Sequence, residues 1–212
     1  TVFSYTVAAS TNVEVTASGG TVLANYATLK AAFDAVNAGT HTGSINIKIY
    51  GNTTETATAS LNASGTGSAS YTAISVQPAG GAARSVTGAI VAGSPLIEFK
   101  GADNVTIDGL NSGSNALTLE NTTASVTSGT STIKFIDGAT SNTVTRCSVK
   151  GGFSAAVTTN GGNIFFSTDG STANGNDNNT ISSCDIGPSG ANLPTKGIYM
   201  NGSTTTTAIN NS

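Results

Sequence analysis

Apolar residues along this chain occur in short alternating runs, separated by stretches of Gly, Ser, Thr and Asn. Residues 44–50 (SINIKIY) place three isoleucines on one side of an extended segment. A period of two is typical of a β-strand, because successive side chains point to opposite faces. Residues 1–20 alternate weakly and predict one or two strands. The same pattern predicts strands at residues 73–77, 86–91, 96–100, 105–110, 116–120, 132–136, 144–149, 163–167, 181–186 and 197–200.

One segment, residues 26–38, has a helical period instead. The apolar residues that recur at i, i+4 and i+7 are Leu29, Phe33 and Val36. This spacing places them on one face of a helix. Asn25 or Thr28 is expected to cap its start, and Gly39 follows its end. The sequence therefore predicts one amphipathic helix, with no convincing second helix after it.

Two sets of strand motifs repeat along the chain. TIDGL (106–110), TVTRC (143–147) and TISSC (180–184) align with steps of 37 residues, and Ile209 follows after a shorter step. This alignment matches Leu110, Cys147 and Cys184. A second set, LIEF (96–99), TIKF (132–135), NIFF (163–166) and GIYM (197–200), recurs every 31 to 36 residues. A fixed recurrence of the same motifs is typical of a solenoid, whereas a β-sandwich predicts none.

Stacked coils explain how such short motifs gain stability. Coils about 4.8 Å apart pair their backbones with each other and bury the apolar positions as continuous columns. Each buried Ile or Phe contributes roughly 1.5–3 kcal/mol. The predicted fold is all-β, a right-handed parallel β-helix with an N-terminal amphipathic capping helix. Its expected parts are an N-terminal strand or cap segment (1–24), the capping helix (25–39) and the coils (40–212).

Composition and charge narrow the possible partners. Only 9% of the 212 residues are charged, the net charge is −3, and the eight Lys and Arg residues are scattered singly. Phosphate binding and anionic membrane surfaces need a concentrated basic face, so nucleic acid and membrane are not expected partners. No apolar run approaches the roughly 20 residues that span a bilayer. Abundant Thr and Asn with little Lys and Glu favour an extracellular or cell-surface location.

Several segments resemble known families. YATLKAAFDAVNAG (26–39) followed by INIKIYGNTTET (45–56) resembles the opening of pectin-lyase-like β-helices, where a helix covers the first coil. NVTIDGL (104–110) and NTISSCDI (179–186) resemble the generic parallel β-helix repeat. AFDAVNAGTHTGSI (32–45), GADNVTIDGLNSG (101–113) and GPSGANLPT (187–195) are similar to long surface proteins of Bacteroidota, which look like type IX secretion cargo and are taken to be adhesins. The resemblance implies fold more strongly than function, because one fold hosts unrelated activities.

The last repeat stops in mid-coil. Ile209-Asn-Asn-Ser lies in the phase of Ile181-Ser-Ser-Cys, with no capping element after it. An uncapped coil is an open sheet edge that invites aggregation. The sequence therefore predicts that the coils continue in a longer protein.

The motifs of β-helix enzymes are missing from this sequence. Polygalacturonase-like proteins have several Asp on one strand face with Gly-His-Gly and Arg-x-Lys, and pectate-lyase-like proteins have clustered calcium-binding acids with a basic catalyst. Here the acids are dispersed, and we predict no catalytic residues and no cofactor. If the protein is an enzyme, the best local group is Glu98, Lys100, Asp103, Asp108, Lys134, Asp137 and Arg146. Glu98 and Lys134 fall at matching places in adjacent coils and are expected to form a surface ion pair.

Three further features have a structural interpretation. His41 is the single histidine, without a readable partner base or nucleophile, so it is expected to be structural or solvent-facing. Cys147 and Cys184 occupy equivalent places in successive coils, which favours two stacked free thiols over a disulfide. The loop at 167–179 is a weak calcium candidate through Asp169 and Asp177, but its spacing does not fit a calcium-binding motif.

Three classes of function remain. The favoured one is a non-enzymatic structural or adhesin segment that contacts surface polysaccharide or another surface protein. The alternatives are a polysaccharide lyase or hydrolase and a carbohydrate-binding module without catalysis. An acidic and basic groove on one sheet face favours the enzyme, and exposed aromatic or Asn/Asp clusters in the loops at 111–130 or 167–179 favour the binding module.

Overall fold

The structure, a computed structural model, describes residues 12–170 and 174–202. Within these residues the chain forms one helix and seventeen strands. The helix is α1 (Leu29–Asn37). The strands are β1 (Val13–Gly20), β2 (Leu23–Tyr26), β3 (His41–Ile49), β4 (Thr53–Thr54), β5 (Ala59–Asn62), β6 (Tyr71–Pro78), β7 (Ala83–Gly88), β8 (Pro95–Lys100), β9 (Val105–Asp108), β10 (Ala116–Ser125), β11 (Ser131–Ile136), β12 (Thr143–Thr145), β13 (Cys147–Phe153), β14 (Gly162–Phe166), β15 (Thr180–Ser182), β16 (Asp185–Pro188) and β17 (Ile198–Met200).

The strands from β3 onward wind through three sheets in rotation. Sheet I has the order β15-β12-β9-β6-β3-β1-β2, sheet II has β16-β13-β10-β7-β4, and sheet III has β17-β14-β11-β8-β5. Each successive trio, from β3–β5 to β15–β17, visits the three sheets once and forms one coil, so the trios are coils 1 to 5. Neighbouring coils pair in parallel throughout. The predicted parallel β-helix is confirmed, as a solenoid of about five turns.

The repeated apolar positions stack in the interior as the sequence predicts. In sheet I, Val144 pairs with Ile107 on one side and with Ile181 on the other. In sheet III, the rings of Phe99 and Phe135 lie 5.0 Å apart at an angle of 47°. The rings of Phe135 and Phe166 are stacked, with centroids 4.5 Å apart and planes 5° from parallel. Close packing of this kind fills the solenoid with side chains.

The helix covers the first coil. Its buried residues are Leu29, Ala32, Phe33 and Val36, and this face packs mainly on β5. Thr28 is the N-cap, and its hydroxyl oxygen accepts from the Ala31 amide at 3.1 Å. The buried carboxylate of Glu55, from coil 1, accepts from the Leu29 and Lys30 amides at 3.0 Å each. The first-turn amides are therefore satisfied, and a negative charge lies at the positive end of the helix dipole.

Strands β1 and β2 close the same end of sheet I. Strand β1 pairs antiparallel with β3, and β2 pairs antiparallel with β1. The predicted helix at 26–38 therefore begins later than expected, because Tyr26 belongs to β2. Residues 1–11 lie outside the described residues, so the interpretation of that part of the 1–24 segment stays a prediction.

Two predicted strands are each divided by a corner. The segment 144–149 contains the end of β12 and the start of β13, and Arg146 between them has a positive φ of 56°. The segment 181–186 is divided in the same way at Ser183, with φ of 52°. A left-handed backbone at one residue turns the chain sharply from sheet I to sheet II. The strand partner of Cys147 is Leu117, not Leu110 as the repeat alignment predicted, because residues 109–115 form a longer connection in coil 3.

Candidate functional site

The outer face of sheet III carries the densest group of candidate residues. On β8, Ile97 and Phe99 point inward, so the alternating Glu98 and Lys100 lie on the outer face. On β11, Lys134 pairs in register with Glu98. Side chains from adjacent coils are thus brought within reach of each other, although they are distant in sequence.

A surface depression of about 380 Å³ lies on this face. We call it the sheet III groove, and its lining residues are Glu98, Lys100, Ile136, Asp137, Asp169 and Gly170. Asp137 follows the end of β11 with a positive φ of 61°. Gly170 lies directly against it, since a Cβ at this glycine would be 2.2 Å from Asp137 Oδ1. The absence of a side chain at Gly170 allows the carboxylate of Asp137 to occupy this position.

The expected ion pair between Glu98 and Lys134 is present. Lys134 Nζ is 3.6 Å from Glu98 Oε1, and the Ser60 hydroxyl donates to Glu98 Oε2 at 3.1 Å. The Lys134 ammonium is also 6.0 Å from the ring centroid of Phe165. These contacts hold Glu98 in place, and a partly exposed pair of this type contributes less than about 1 kcal/mol.

The other wall of the groove is held by amides and a hydroxyl. Asp169 Oδ2 accepts from Asn160 Nδ2 and from the Ser167 hydroxyl, at 3.3 Å each. Its other oxygen accepts from Asn201 Nδ2 at 3.4 Å. Behind this wall, the Tyr199 hydroxyl donates to Asn160 Oδ1 at 3.3 Å and so joins the same network. Carboxylate, amide, amine and phenol groups together can donate and accept hydrogen bonds to the hydroxyls of a sugar.

The remaining enzyme candidates lie at corners of the solenoid rather than in the groove. Arg146 donates to both carboxylate oxygens of Asp108, at 2.8 and 2.5 Å, at the corner between sheets I and II. This hydrogen bond lowers the pKa of Asp108 and raises that of Arg146. Asp103 accepts from the amide and hydroxyl of Thr140, at 2.7 and 2.8 Å, and thereby ties coil 3 to coil 4. The seven candidates are therefore divided among three places.

The two cysteines are free thiols. Cys147 is buried and Cys184 is half-buried. Their strands are in register, since Ser148 pairs with Asp185 one residue further along. Burial, and to a smaller extent the neighbouring Cys184, raise the pKa of Cys147 to about 12. Of the two expectations, stacked free thiols are confirmed.

His41 has a structural role, as expected. The imidazole is buried between the hairpin of β1 and β2 and the start of β3. Its Nδ1 donates to the Thr21 carbonyl at 2.5 Å, and its Nε2 is 2.7 Å from the Tyr26 hydroxyl. A neutral ring with the proton on Nδ1 satisfies both contacts, because the tyrosine then donates to Nε2.

The two calcium candidates, Asp169 and Asp177, make different contacts. Asp169 lies in the wall of the sheet III groove, and the backbone carbonyl of Asp177 accepts from the Ser141 amide at 3.1 Å. Residues 171–173 of the same loop lie outside the described residues. In the described part of the chain, no group of three or more His, Cys, Asp or Glu side chains is arranged to bind a metal ion.

Sequence reasoning missed Glu55 and the contacts among Asn160, Asp169 and Tyr199. The motif NTTET (52–56) places an acid just after the first coil begins, and the predicted helix nearby has no acid in its first turn. A predicted helix without an acid in its first turn, next to a segment that contains one, indicates that this acid can accept hydrogen bonds from the first-turn amides. Asn160 gives no comparable signal, because asparagine is common throughout the chain.

The coils from β3 to β17 pair in parallel and visit three sheets in turn around a filled interior, so the described part of the chain is a parallel β-solenoid with one helix. A membrane-crossing helix is not found among those residues. Comparison of the chain with protein-family models, with curated proteins and with solved structures gives no match.

Proposed function

We propose that this protein is a secreted or cell-surface β-solenoid that serves as a non-catalytic structural or adhesin segment. The observation that carries the proposal is that the stacked strands repeat from coil to coil, whereas the loops between sheets II and III differ in length. Parallel pairing between neighbouring coils recurs in all three sheets, with register shifts only between Glu120 and Ala124 in sheet II and between Gly43 and Ser44 in sheet I. Between sheets II and III, the connections change length from coil to coil, at residues 55–58, 89–94, 126–130, 154–161 and 189–197.

This division suits the display of contact surfaces. A close-packed frame holds each connection in a defined position, and loops on a rigid scaffold are common binding elements. The connections are rich in Gly, Ser, Thr and Asn and poor in charge. They therefore favour contact with a neutral, hydrogen-bonding partner such as surface polysaccharide or another surface protein, rather than with nucleic acid.

Product release from polysaccharides tests the non-catalytic part of the proposal. The purified 212-residue chain is incubated with a panel of acidic and neutral polysaccharides, with and without calcium. We expect no reducing or unsaturated ends above the level of a heat-denatured control. Release that is reproducible, and lost in Glu98→Gln, would overturn the proposal in favour of a lyase or hydrolase acting in the sheet III groove.

Surface location is tested on cells that produce the protein. Protease added to intact cells, followed by immunoblotting, should degrade a surface-exposed solenoid and spare a cytoplasmic marker. Protection of both proteins until the cells are lysed, together with none in the medium, would contradict the proposed location.

A second candidate function is saccharide binding in the sheet III groove. The favouring observation is the sheet III groove itself, in which the carboxylates of Glu98, Asp137 and Asp169 lie beside the Lys100 ammonium. Titration calorimetry with oligosaccharides should give saturable heat, which Asp137→Asn weakens. Asp34→Asn on the exposed face of α1 is the matched control and should bind like the wild type. Equal loss in both variants, or no heat with any sugar, would refute binding in the groove.

A further inference from the structure

An exposed valine occurs in the connection between sheets II and III in each of three successive coils. Val91 in coil 2 is 74% exposed, Val126 in coil 3 is 64% exposed, and Val157 in coil 4 is 72% exposed. Each lies in or directly beside a tight turn, in which an amide donates to the carbonyl three residues earlier. These turns are 91–94, 127–130 and 156–159. An apolar side chain is thus repeated once per coil on the outside of the solenoid.

Hydrogen bonds between coils keep the three turns adjacent. The Gly93 amide donates to the Thr130 hydroxyl at 2.7 Å, which joins the turn of coil 2 to that of coil 3. The Gly129 amide donates to the Asn160 carbonyl at 2.9 Å, which joins coil 3 to coil 4. Because neighbouring coils are about 4.8 Å apart, the exposed valines follow one another closely along the solenoid. We call them the valine row: Val91, Val126 and Val157.

The valine row lies in connections that carry no charge. The chain has eight basic and eleven acidic residues, but none of them is in residues 89–94, 126–130 or 154–161. Lys196 of coil 5 reaches the border of this area, where its ammonium donates to the Val157 carbonyl at 3.2 Å. A strongly charged polymer therefore gains no series of ion pairs along the row, and charge complementarity favours an uncharged partner.

Exposed hydroxyls stand beside the apolar side chains of the row. In coil 3, Thr127 and Ser128 follow the valine and are exposed, and in coil 4 the same is true of Thr158. The row thus combines aliphatic contact area with groups that both donate and accept hydrogen bonds. A sugar ring has the matching chemistry, because its faces carry C–H groups and its edge carries hydroxyls. Packing such a face on valine removes apolar surface from water, and the ring hydroxyls can bond to the threonines.

We propose that the valine row and its neighbouring hydroxyls bind a neutral polysaccharide, whose chain runs along the solenoid across coils 2 to 4. This inference rests on the proposed function, since it names the partner of the displayed connections. Repetition once per coil favours a polymer over a single sugar, because each further coil adds one more equivalent contact to the same ligand. The site is separate from the sheet III groove, which is lined by carboxylates and Lys100.

Co-sedimentation of the 212-residue chain with insoluble polysaccharides tests the proposal. The neutral probes are cellulose, chitin and starch granules, and a calcium alginate gel is the acidic comparison. We expect saturable binding to at least one neutral probe and weaker binding to alginate. Val126→Asp should raise the Kd about fivefold or more, because it removes an apolar contact and adds a charge that must lose water. Val22→Asp is the matched control, since Val22 is 62% exposed at the tip of the β1–β2 hairpin and should bind like the wild type.

Several outcomes would overturn the proposal. Failure to bind any neutral probe would reject this partner, while degradation by protease on intact cells would still support a surface-exposed solenoid. Unchanged binding by Val126→Asp, or equal weakening by Val22→Asp, would place the site elsewhere. Attachment to cells that survives enzymatic removal of their neutral polysaccharides, but is lost in Val126→Asp, would identify a protein partner instead. Circular dichroism checks that the variants remain folded, and Val157→Ser repeats the test in coil 4 without adding a charge.

Discussion

Replacing Asn142 tests how the coils are held together at the corner between sheets III and I. The side chain is buried, and its Oδ1 accepts from the Val105 amide at 2.9 Å. Its Nδ2 donates to the Ala102 carbonyl at 2.8 Å and to Asn179 Oδ1 at 3.0 Å. The side-chain amide of Asn142 thus joins coils 3, 4 and 5 by hydrogen bonds, in addition to the apolar contacts between the coils.

The cost of Asn142→Ala follows from these three bonds. Each hydrogen bond contributes about 1 kcal/mol net, and a buried amide or carbonyl left without a partner costs about 1–3 kcal/mol. Together they predict a loss of roughly 3–5 kcal/mol in the free energy of unfolding, a large part of a domain's typical 5–15 kcal/mol. The substituted alanine cannot recover this loss, since no new group reaches the Val105 amide.

Urea unfolding followed by circular dichroism measures this loss. Asn142→Ala should lower the midpoint without changing the m-value. Asn46→Ala, at an exposed position in β3, is the matched control and should stay within about 0.5 kcal/mol of the wild type. A loss of less than about 1 kcal/mol for Asn142→Ala would refute the reasoning, because it would mean that water or the backbone replaces the amide.

Asn142→Asp adds a test of sign. A carboxylate here faces two acceptors, the Ala102 carbonyl and Asn179 Oδ1, so burial and repulsion raise its pKa in the folded state. Protonation then stabilises the folded variant, fully below the unfolded pKa, and the gain is lost as pH rises through the folded pKa. The variant should therefore unfold at higher urea as pH falls from 7 to 4, and the opposite trend would contradict the assignment of Nδ2 as a donor.

Three other predictions concern the interior, the thiols and an ion pair. Phe135→Ala removes a ring between two others and leaves a cavity, so it should cost about 3–5 kcal/mol in urea unfolding. Phe135→Leu fills most of that cavity and loses mainly the ring contacts, so it should cost less; no measurable cost for Phe135→Leu would contradict a role for ring stacking. In folded Cys184→Ser, Cys147 should resist a disulfide reagent at pH 8, because burial raises its pKa to about 12, and should react after guanidinium; rapid reaction in the folded protein would refute its burial. Asp108→Asn should destabilise at pH 7 and lose that effect as pH falls through the depressed folded pKa of the wild-type carboxyl; a penalty independent of pH would show that its charge is not involved.

The sequence predicts the interior of the solenoid well because each buried position is repeated. Ile107, Val144 and Ile181 keep one spacing, and the structure pairs them directly. A column of β-branched apolar residues at a constant spacing can be recognised in the sequence even when the loop conformations are unknown. The connection 109–115 breaks this regularity, and for that reason the 37-residue spacing matches Cys147 with Leu110 although its strand partner is Leu117.

Corners are harder to predict than strands. Arg146 and Ser183 adopt positive φ, yet neither is the glycine or asparagine that usually marks a left-handed residue. The bend at Arg146 is accompanied by its ion pair with Asp108, a contact between coils that spacing alone does not reveal. Because the sequence does not reveal these corners, it predicts a single group of seven enzyme candidates. The structure divides these residues among the sheet III groove and two corners.

The cap on coil 1 has a consequence for how the chain acquires its structure. Contacts in a solenoid join each coil to its neighbours, so a closed first coil provides a ready nucleus on which later coils can be added one at a time. Because α1 and its partner Glu55 lie early in the chain, this nucleus is complete before the later coils are synthesised. We therefore expect vectorial folding from the N-terminal end, with coil 5 forming after coils 1 to 4.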